Sequence, residues 1–225
     1  MSCLAVKSIE AAGIRILYSD FSTAYDVLEK EAGVLSDERR RKAEIKRNRE
    51  ARMQSLAAGM LLRECLLPLG IDEREANYGC KGNGKPYLIG YDNICFSITH
   101  SGRLAAAAAS SDKTELGIDI ERIGRVGERV AAKCLSAAEQ QKLRMIKNAD
   151  ERERFICRMW TVKESFVKAV GAGLAIPFDT VEAVGEGPVY VVNQKYNAGS
   201  YTAYTFELEE GYCLSLCVGD RVNAS

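Results

Sequence analysis

Asp119 and Glu121 stand two residues apart in Leu116-Gly117-Ile118-Asp119-Ile120-Glu121, and a third carboxylate follows in Trp160-Thr161-Val162-Lys163-Glu164-Ser165-Phe166-Val167-Lys168. The first run alternates as a strand does, so Asp119 and Glu121 project from one face and can grip one hard cation together. In a helix, Trp160, Glu164 and Lys168 fall at i, i+4 and i+8 and form one stripe, which sets an anion and a cation a turn apart. Three oxygen donors with lysines beside them suit Mg2+ held against a phosphate ester. The plainer reading is that Asp119 and Glu121 line the polar side of an edge strand while Glu164 and Lys168 form an ordinary helix ion pair.

The elements that must carry these groups are legible around them. Ile14 to Tyr18 reads as a strand, Phe21 to Ala32 as a helix closed by Gly33, and Ser36 as the cap of a helix to about Lys46. A longer helix is predicted from about Arg49 to Leu67, stopped by Pro68 and Gly70. Tyr78 to Pro86, with Gly79, Gly82 and Gly84, reads as a loop. Strands are predicted over Ile94–Thr99, Leu104–Ser110 and Glu115–Glu121, separated by His100-Ser101-Gly102 and Ser111-Asp112-Lys113. Ser136-Ala137-Ala138-Glu139 matches a capping box that opens a helix to about Lys147. The next helix starts near Asp150, buries Phe155, Met159, Val162, Phe166 and Ala169, and ends at Gly171 or Gly173. The last segment alternates through Val189–Val192, Tyr201–Leu208 and Cys213–Val218, with turns at Asn197-Ala198-Gly199 and Glu209-Glu210-Gly211. Leu35-Ser36 and Leu135-Ser136, one hundred residues apart, each open a short charged helix followed by a long one. That echo is compatible with an internal duplication and equally with chance, because capped helix pairs are common.

Composition narrows the setting. Lys and Arg total 31 and Asp and Glu total 31, so no global field is present to hold nucleic acid or an anionic membrane, and any basic site must be local. The segment from Met1 to Gly13 is broken by Lys7 and Glu10 and reads as no export signal. The longest apolar run, Leu104 to Ala109, falls far short of the ~20 residues needed to cross a bilayer. The eight cysteines, with no C-x-x-C pair, read as reduced thiols of a cytoplasmic protein, and Cys213 and Cys217 as core residues rather than ligands.

The motifs together resemble the 4′-phosphopantetheinyl transferase family, in its two-halved Sfp-type branch. That pattern is G-[IV]-D-x-E, a spacer, then W-[ST]-x-K-E-[SA]-x-x-K, and Gly117–Glu121 and Trp160–Lys168 match at every position. Gly84-Lys85-Pro86-Tyr87 and Phe96-Ser97-Ile98-Thr99-His100-Ser101-Gly102 are similar to further family segments in the same order. The resemblance covers roughly Leu35 to Phe178. It implies an enzyme that moves the phosphopantetheine arm of coenzyme A to a serine of an acyl or peptidyl carrier protein and releases 3′,5′-ADP. The implied fold is α+β, with two similar halves related by pseudo-twofold symmetry, each a small antiparallel sheet packed with a long helix. Residues 1–110 would carry the coenzyme A phosphate-binding elements and 111–225 the metal-binding and catalytic ones, with coenzyme A in the cleft between halves and the chain a monomer.

By position, Asp119, Glu121 and Glu164 would hold Mg2+. Glu164 would also be the base for the carrier serine, directly or through a metal-bound water. Lys163 and Lys168 would sit on phosphates, Lys168 serving the leaving group. His100, the only histidine, would contact a coenzyme A phosphate together with Thr99 and Lys85, although a histidine at a strand end can equally be structural. Arg39 and Lys42 would hold the 3′-phosphate; the bland reading of Arg39 to Arg52 is a solvated helix face, since Glu38, Glu44 and Glu50 are interleaved. Arg52 and Gln54 compete for a further family arginine position. An exposed patch near the cleft, around Arg122 to Arg129, would meet the acidic carrier.

Three rival readings remain: a coenzyme A or carrier-binding module without catalysis, a nucleic-acid binder using Arg39 to Arg52, and a hydrolase of pyrophosphates at the same metal site. Retention of Asp119, Glu164 and Lys168 weighs against the first, and the zero net charge against the second.

Overall fold

A computed structural model describes residues 4–82, 84–196 and 199–220. The chain is α+β and divides into two compact units, Met1–Gly82 with Pro86–Lys113, and Thr114–Ser225 with Asn83–Lys85. Among the described residues no helix is long and apolar enough to cross a membrane.

The first unit opens with a hairpin of β1 (Lys7–Ala11) and β2 (Ile14–Asp20). Ala12 and Gly13 turn it with φ of 52° and 73°, as a two-residue hairpin loop requires. Helices α1 (Tyr25–Glu31), α2 (Asp37–Glu44) and α3 (Arg49–Leu66) follow, the second capped by Ser36 and the third by Asn48. A short ladder joins β3 (Tyr78–Cys80) to β4 (Pro86–Leu88), and β5 (Cys95–Ser101) forms a hairpin with β6 (Leu104–Ser110). The main sheet is antiparallel in the order β1-β2-β6-β5, with α3 packed on it. Met53, Leu56, Ala57 and Leu61 of α3 share a core with Phe21, Leu28, Ala105 and Ala107, and the small side chains of β6 admit the helix closely.

The second unit runs β7 (Leu116–Arg122), α4 (Glu128–Cys134), α5 (Ala137–Met145), α6 (Ala149–Val170), β8 (Glu182–Val184), β9 (Val189–Asn193), β10 (Tyr201–Leu208) and β11 (Tyr212–Gly219). Its sheet is antiparallel in the order β7-β11-β10-β9-β8, with α6 laid against β7, β11 and β10. The capping box of Ser136 and Glu139 is present, and Gly171 ends α6 in the left-handed region at φ 72°.

The structure departs from the sequence reading in several places: α1 starts at Tyr25 and not at Phe21, and β5 runs on through His100 to Ser101. Strand β1 forms in the segment read only for export, α4 is a helix where no element was predicted, and β8 is an additional edge strand. The segment Tyr78 to Pro86 is not wholly a loop, because its ends pair as β3 and β4. There the ring of Tyr87 lies so close to Gly79 that a Cβ would stand 2.4 Å from it, so this glycine serves a ladder and not a turn. The predicted turn at Asn197-Ala198 lies outside the described residues. Cys213 and Cys217 are buried in the sheet, as core residues should be.

Candidate active site

Gly117 decides how β7 meets α6. A Cβ built there would lie 2.1 Å from the Ser165 carbonyl oxygen and 2.4 Å from the Ala169 nitrogen, so only glycine lets the helix backbone touch the strand. Thr161 Oγ1 and Ser215 Oγ, 2.7 Å apart, tie the same helix to β11. This contact carries Lys168 to Asp119: its ammonium donates to Asp119 Oδ1 at 2.7 Å and to the Ile118 carbonyl at 3.1 Å. Glu121 accepts from the Arg122 backbone N–H at 2.8 Å and pairs with Arg125 at 3.3 Å. Trp160, Glu164 and Lys168 are all half-buried on one stripe of α6, and Met159, Val162, Phe166 and Ala169 are buried on the other, as the spacing predicts. Burial pushes the Glu164 carboxyl above the usual carboxylate range; the charge of Asp119 adds to the rise, Lys168 opposes it, and Glu121 adds a smaller push. The three carboxylates therefore share one field.

Their chemistry fits a hard divalent cation, since all three offer carboxylate oxygens. Among the described residues no three His, Cys, Asp or Glu side chains converge closely enough to enclose an ion. Lys168 pairs with Asp119 and Arg125 with Glu121 in this arrangement.

Lys163 requires a correction. Expected on a phosphate, it is 0% exposed and its ammonium binds Glu139 Oε2 at 2.6 Å, the Phe178 carbonyl at 2.9 Å and the Val181 carbonyl. Glu139, 1% exposed, also accepts from the backbone N–H of Ser136 and Ala183 at 2.8 and 2.9 Å. An ammonium has three donors, and all three are taken. Lys85 is likewise an anchor: it donates to the carbonyls of Ala169 and Leu116, holding the last turn of α6, where a cation is favoured.

In the first unit, His100 is exposed at the end of β5 and Thr99, pointing to the other face, is buried. Gln54 Nε2 donates at 2.9 Å to the carbonyl of Gly102, in the turn that follows His100. Arg52 instead lines a recess with Glu29, Arg40, Glu44 and Leu56, so Gln54 and not Arg52 stands beside the His100 turn. Lys42 forms an exposed i, i+4 pair with Glu38 at 2.5 Å, a bond weak enough to exchange for a stronger anion. Arg39 is mostly buried, 4.6 Å from the Tyr78 ring centre and 5.8 Å from that of Phe96. Its Nε stands 3.7 Å from Glu73 Oε1, too far for a hydrogen bond, and its Nε and Nη2 have no hydrogen-bond partner among the described residues.

Residues 115–217, the segment holding β7 and α6, match the 4′-phosphopantetheinyl transferase superfamily. The chain is 27% identical to the 4′-phosphopantetheinyl transferase Sfp of Bacillus subtilis over 89% of both chains. It is 30% identical to a 4′-phosphopantetheinyl transferase of Aneurinibacillus migulanus over 73% of this chain and 68% of that one. The chain belongs to the 4′-phosphopantetheinyl transferase superfamily. A partial match to the holo-[acyl-carrier-protein] synthase of Thermotoga maritima has a TM-score of 0.40 and 27% identity, covering 47% of this chain and 62% of that one.

Within this superfamily member, the sequence signal for Asp119, Glu164 and Lys168 was the motif itself, and the structure brings Lys168 onto Asp119. Two buried glutamates, Glu73 and Glu139, went unmarked as partners of cations. Glu139 had a signal in its capping box; Glu73, in a single-turn segment after α3, had none.

Proposed function

We propose that the protein transfers the 4′-phosphopantetheine group of coenzyme A to a serine of an acyl or peptidyl carrier protein, giving the holo-carrier and 3′,5′-ADP. The observation that carries this reading is the close approach of α6 to β7 at Gly117, which sets Lys168 against Asp119, with Glu164 one turn earlier on the same stripe, in the segment shared with the superfamily. Asp119, Glu121 and Glu164 would hold Mg2+, whose charge when bound neutralises the pyrophosphate. Glu164 takes the proton of the carrier serine, and its half-buried place on α6 limits competing water. Lys168 moves from Asp119 to the oxygens of the departing 3′,5′-ADP, exchanging one anion for another. Arg39 and Lys42 hold the 3′-phosphate, and His100, exposed at the end of β5, contacts a further phosphate of coenzyme A.

On this reading the first unit supplies the coenzyme A contacts and the second the metal and catalytic groups, as two similar halves acting within one monomer in the cytoplasm. The test is the intact mass of a purified apo acyl carrier protein after incubation with enzyme, coenzyme A and Mg2+. Wild type adds one phosphopantetheine group, EDTA stops the addition, and Glu164→Gln folds normally but slows it by about 10²–10⁴-fold. An undiminished rate in Glu164→Gln would remove the proposed base. Coenzyme A binding without mass gain on unrelated carriers would favour a binding module.

A further inference from the structure

Glu73 is 0% exposed and belongs to no motif, yet four groups converge on it. Oε2 accepts from the Ser36 backbone N–H at 2.9 Å; Oε1 accepts from Ser36 Oγ at 2.9 Å and from the Tyr78 hydroxyl at 2.8 Å. The fourth is the Arg39 guanidinium, at 3.7 Å.

In a capping box the glutamate that receives the N-cap N–H is the third residue of the helix, as Glu139 is in α5. In α2 that third position is Arg39, and the glutamate comes from outside the helix. The exchange frees the third position for a cation while the N-cap N–H stays satisfied. The same carboxylate fixes Tyr78, whose ring lies against the guanidinium and meets Phe96 edge-on at 5.8 Å. Arg39 is thus held in plane by an aromatic wall whose hydroxyl end is pinned, and by a charge too distant to saturate it. Buried polar atoms without partners in a native protein call for an explanation, and a guanidinium awaiting an anion is one.

We infer that Glu73 is a positioning residue that orients Arg39 for the 3′-phosphate of coenzyme A and so sets the preference for a 3′-phosphorylated nucleotide. This rests on the phosphate role proposed above for Arg39. Glu73 touches no substrate itself; it acts through the arginine, as orienting partners of charged ligand contacts do.

The experiment compares KM and kcat for coenzyme A and for dephospho-coenzyme A, which lacks the 3′-phosphate, in wild type, Glu73→Gln and Arg39→Gln. Glu73→Gln is expected to raise KM for coenzyme A by about tenfold, to leave KM for dephospho-coenzyme A unchanged, and to keep kcat with both. A purely structural role would move both substrates alike, and that result, or an unchanged KM for coenzyme A, overturns the inference. If Arg39→Gln also shows no selective loss for coenzyme A, the phosphate role of Arg39 has failed; if only Glu73→Gln shows none, the positioning role alone has. Should Glu73→Gln not fold, Tyr78→Phe carries the same test through removal of one donor to Glu73, with a selective rise of about threefold expected and no selective rise counting against the inference.

Discussion

Each unit of the molecule buries a glutamate under a serine-capped helix and sets a cation against it, but the two cations are left in different states. In the second unit Glu139 lies inside its helix, and Lys163 gives all its donors to that carboxylate and two carbonyls without any exposure. In the first unit Glu73 lies outside the helix, and Arg39 is 3.7 Å from it with two nitrogens lacking hydrogen-bond partners among the described residues. A cation whose donors are all matched internally is scaffold, however strong the motif around it. One that is oriented but unsaturated keeps donor capacity for a ligand. Membership of a motif therefore does not by itself assign a role: Lys163 sits between the motif tryptophan and glutamate and still faces inward.

The largest expected effect tests the closed pair. Lys163→Met leaves Glu139 charged and buried without its counter-ion, so unfolding free energy should fall by about 3–5 kcal/mol, read as a lower urea midpoint at unchanged slope. KM for coenzyme A in the folded fraction should not move; a KM effect without a stability effect would break the comparison. Next, Gly117→Ala should cost about 1–3 kcal/mol and more if α6 must shift, because the new Cβ meets the backbone at Ser165 and Ala169. Its turnover should fall beyond what the stability loss explains, since Lys168 is carried away from Asp119.

The open pair predicts a different pattern. Arg39→Gln should raise KM for coenzyme A by about ten- to a hundredfold at near-constant kcat, the size of a lost charged hydrogen bond. Stability should change less than in Lys163→Met, since Glu73 keeps three hydrogen-bond donors. The smallest effect sharpens the first unit only: Gln54→Ala removes one neutral bond to Gly102 and should cost about 0.5–1.5 kcal/mol by thermal denaturation.

Much of this was legible beforehand. The strand of Asp119 and Glu121, the stripe of Trp160, Glu164 and Lys168, and both serine caps follow from period and capping chemistry, which are local properties. Strand β1, with its Ala-Gly turn, carried the faint alternation of Lys7-Ser8-Ile9-Glu10, and β8 is three residues long, too short for any period to register. The inward turn of Lys163 was hidden for another reason. Its partners are Glu139 in α5 and carbonyls at Phe178 and Val181, and such partners are set by packing between elements. The anchoring of Lys85 was hidden in the same way, since the carbonyl of Ala169 lies far along the chain. Glu73 and Arg39 meet only because the turn after α3 returns to the start of α2.

The most direct measurement is titration calorimetry with 3′,5′-ADP and with 5′-AMP, which lacks the 3′-phosphate, on wild type, Arg39→Gln and Lys163→Met. The account predicts that wild type prefers 3′,5′-ADP, that Arg39→Gln loses that preference by about ten- to a hundredfold, and that folded Lys163→Met retains it. Retention of the preference in Arg39→Gln, with loss in Lys163→Met, would contradict it.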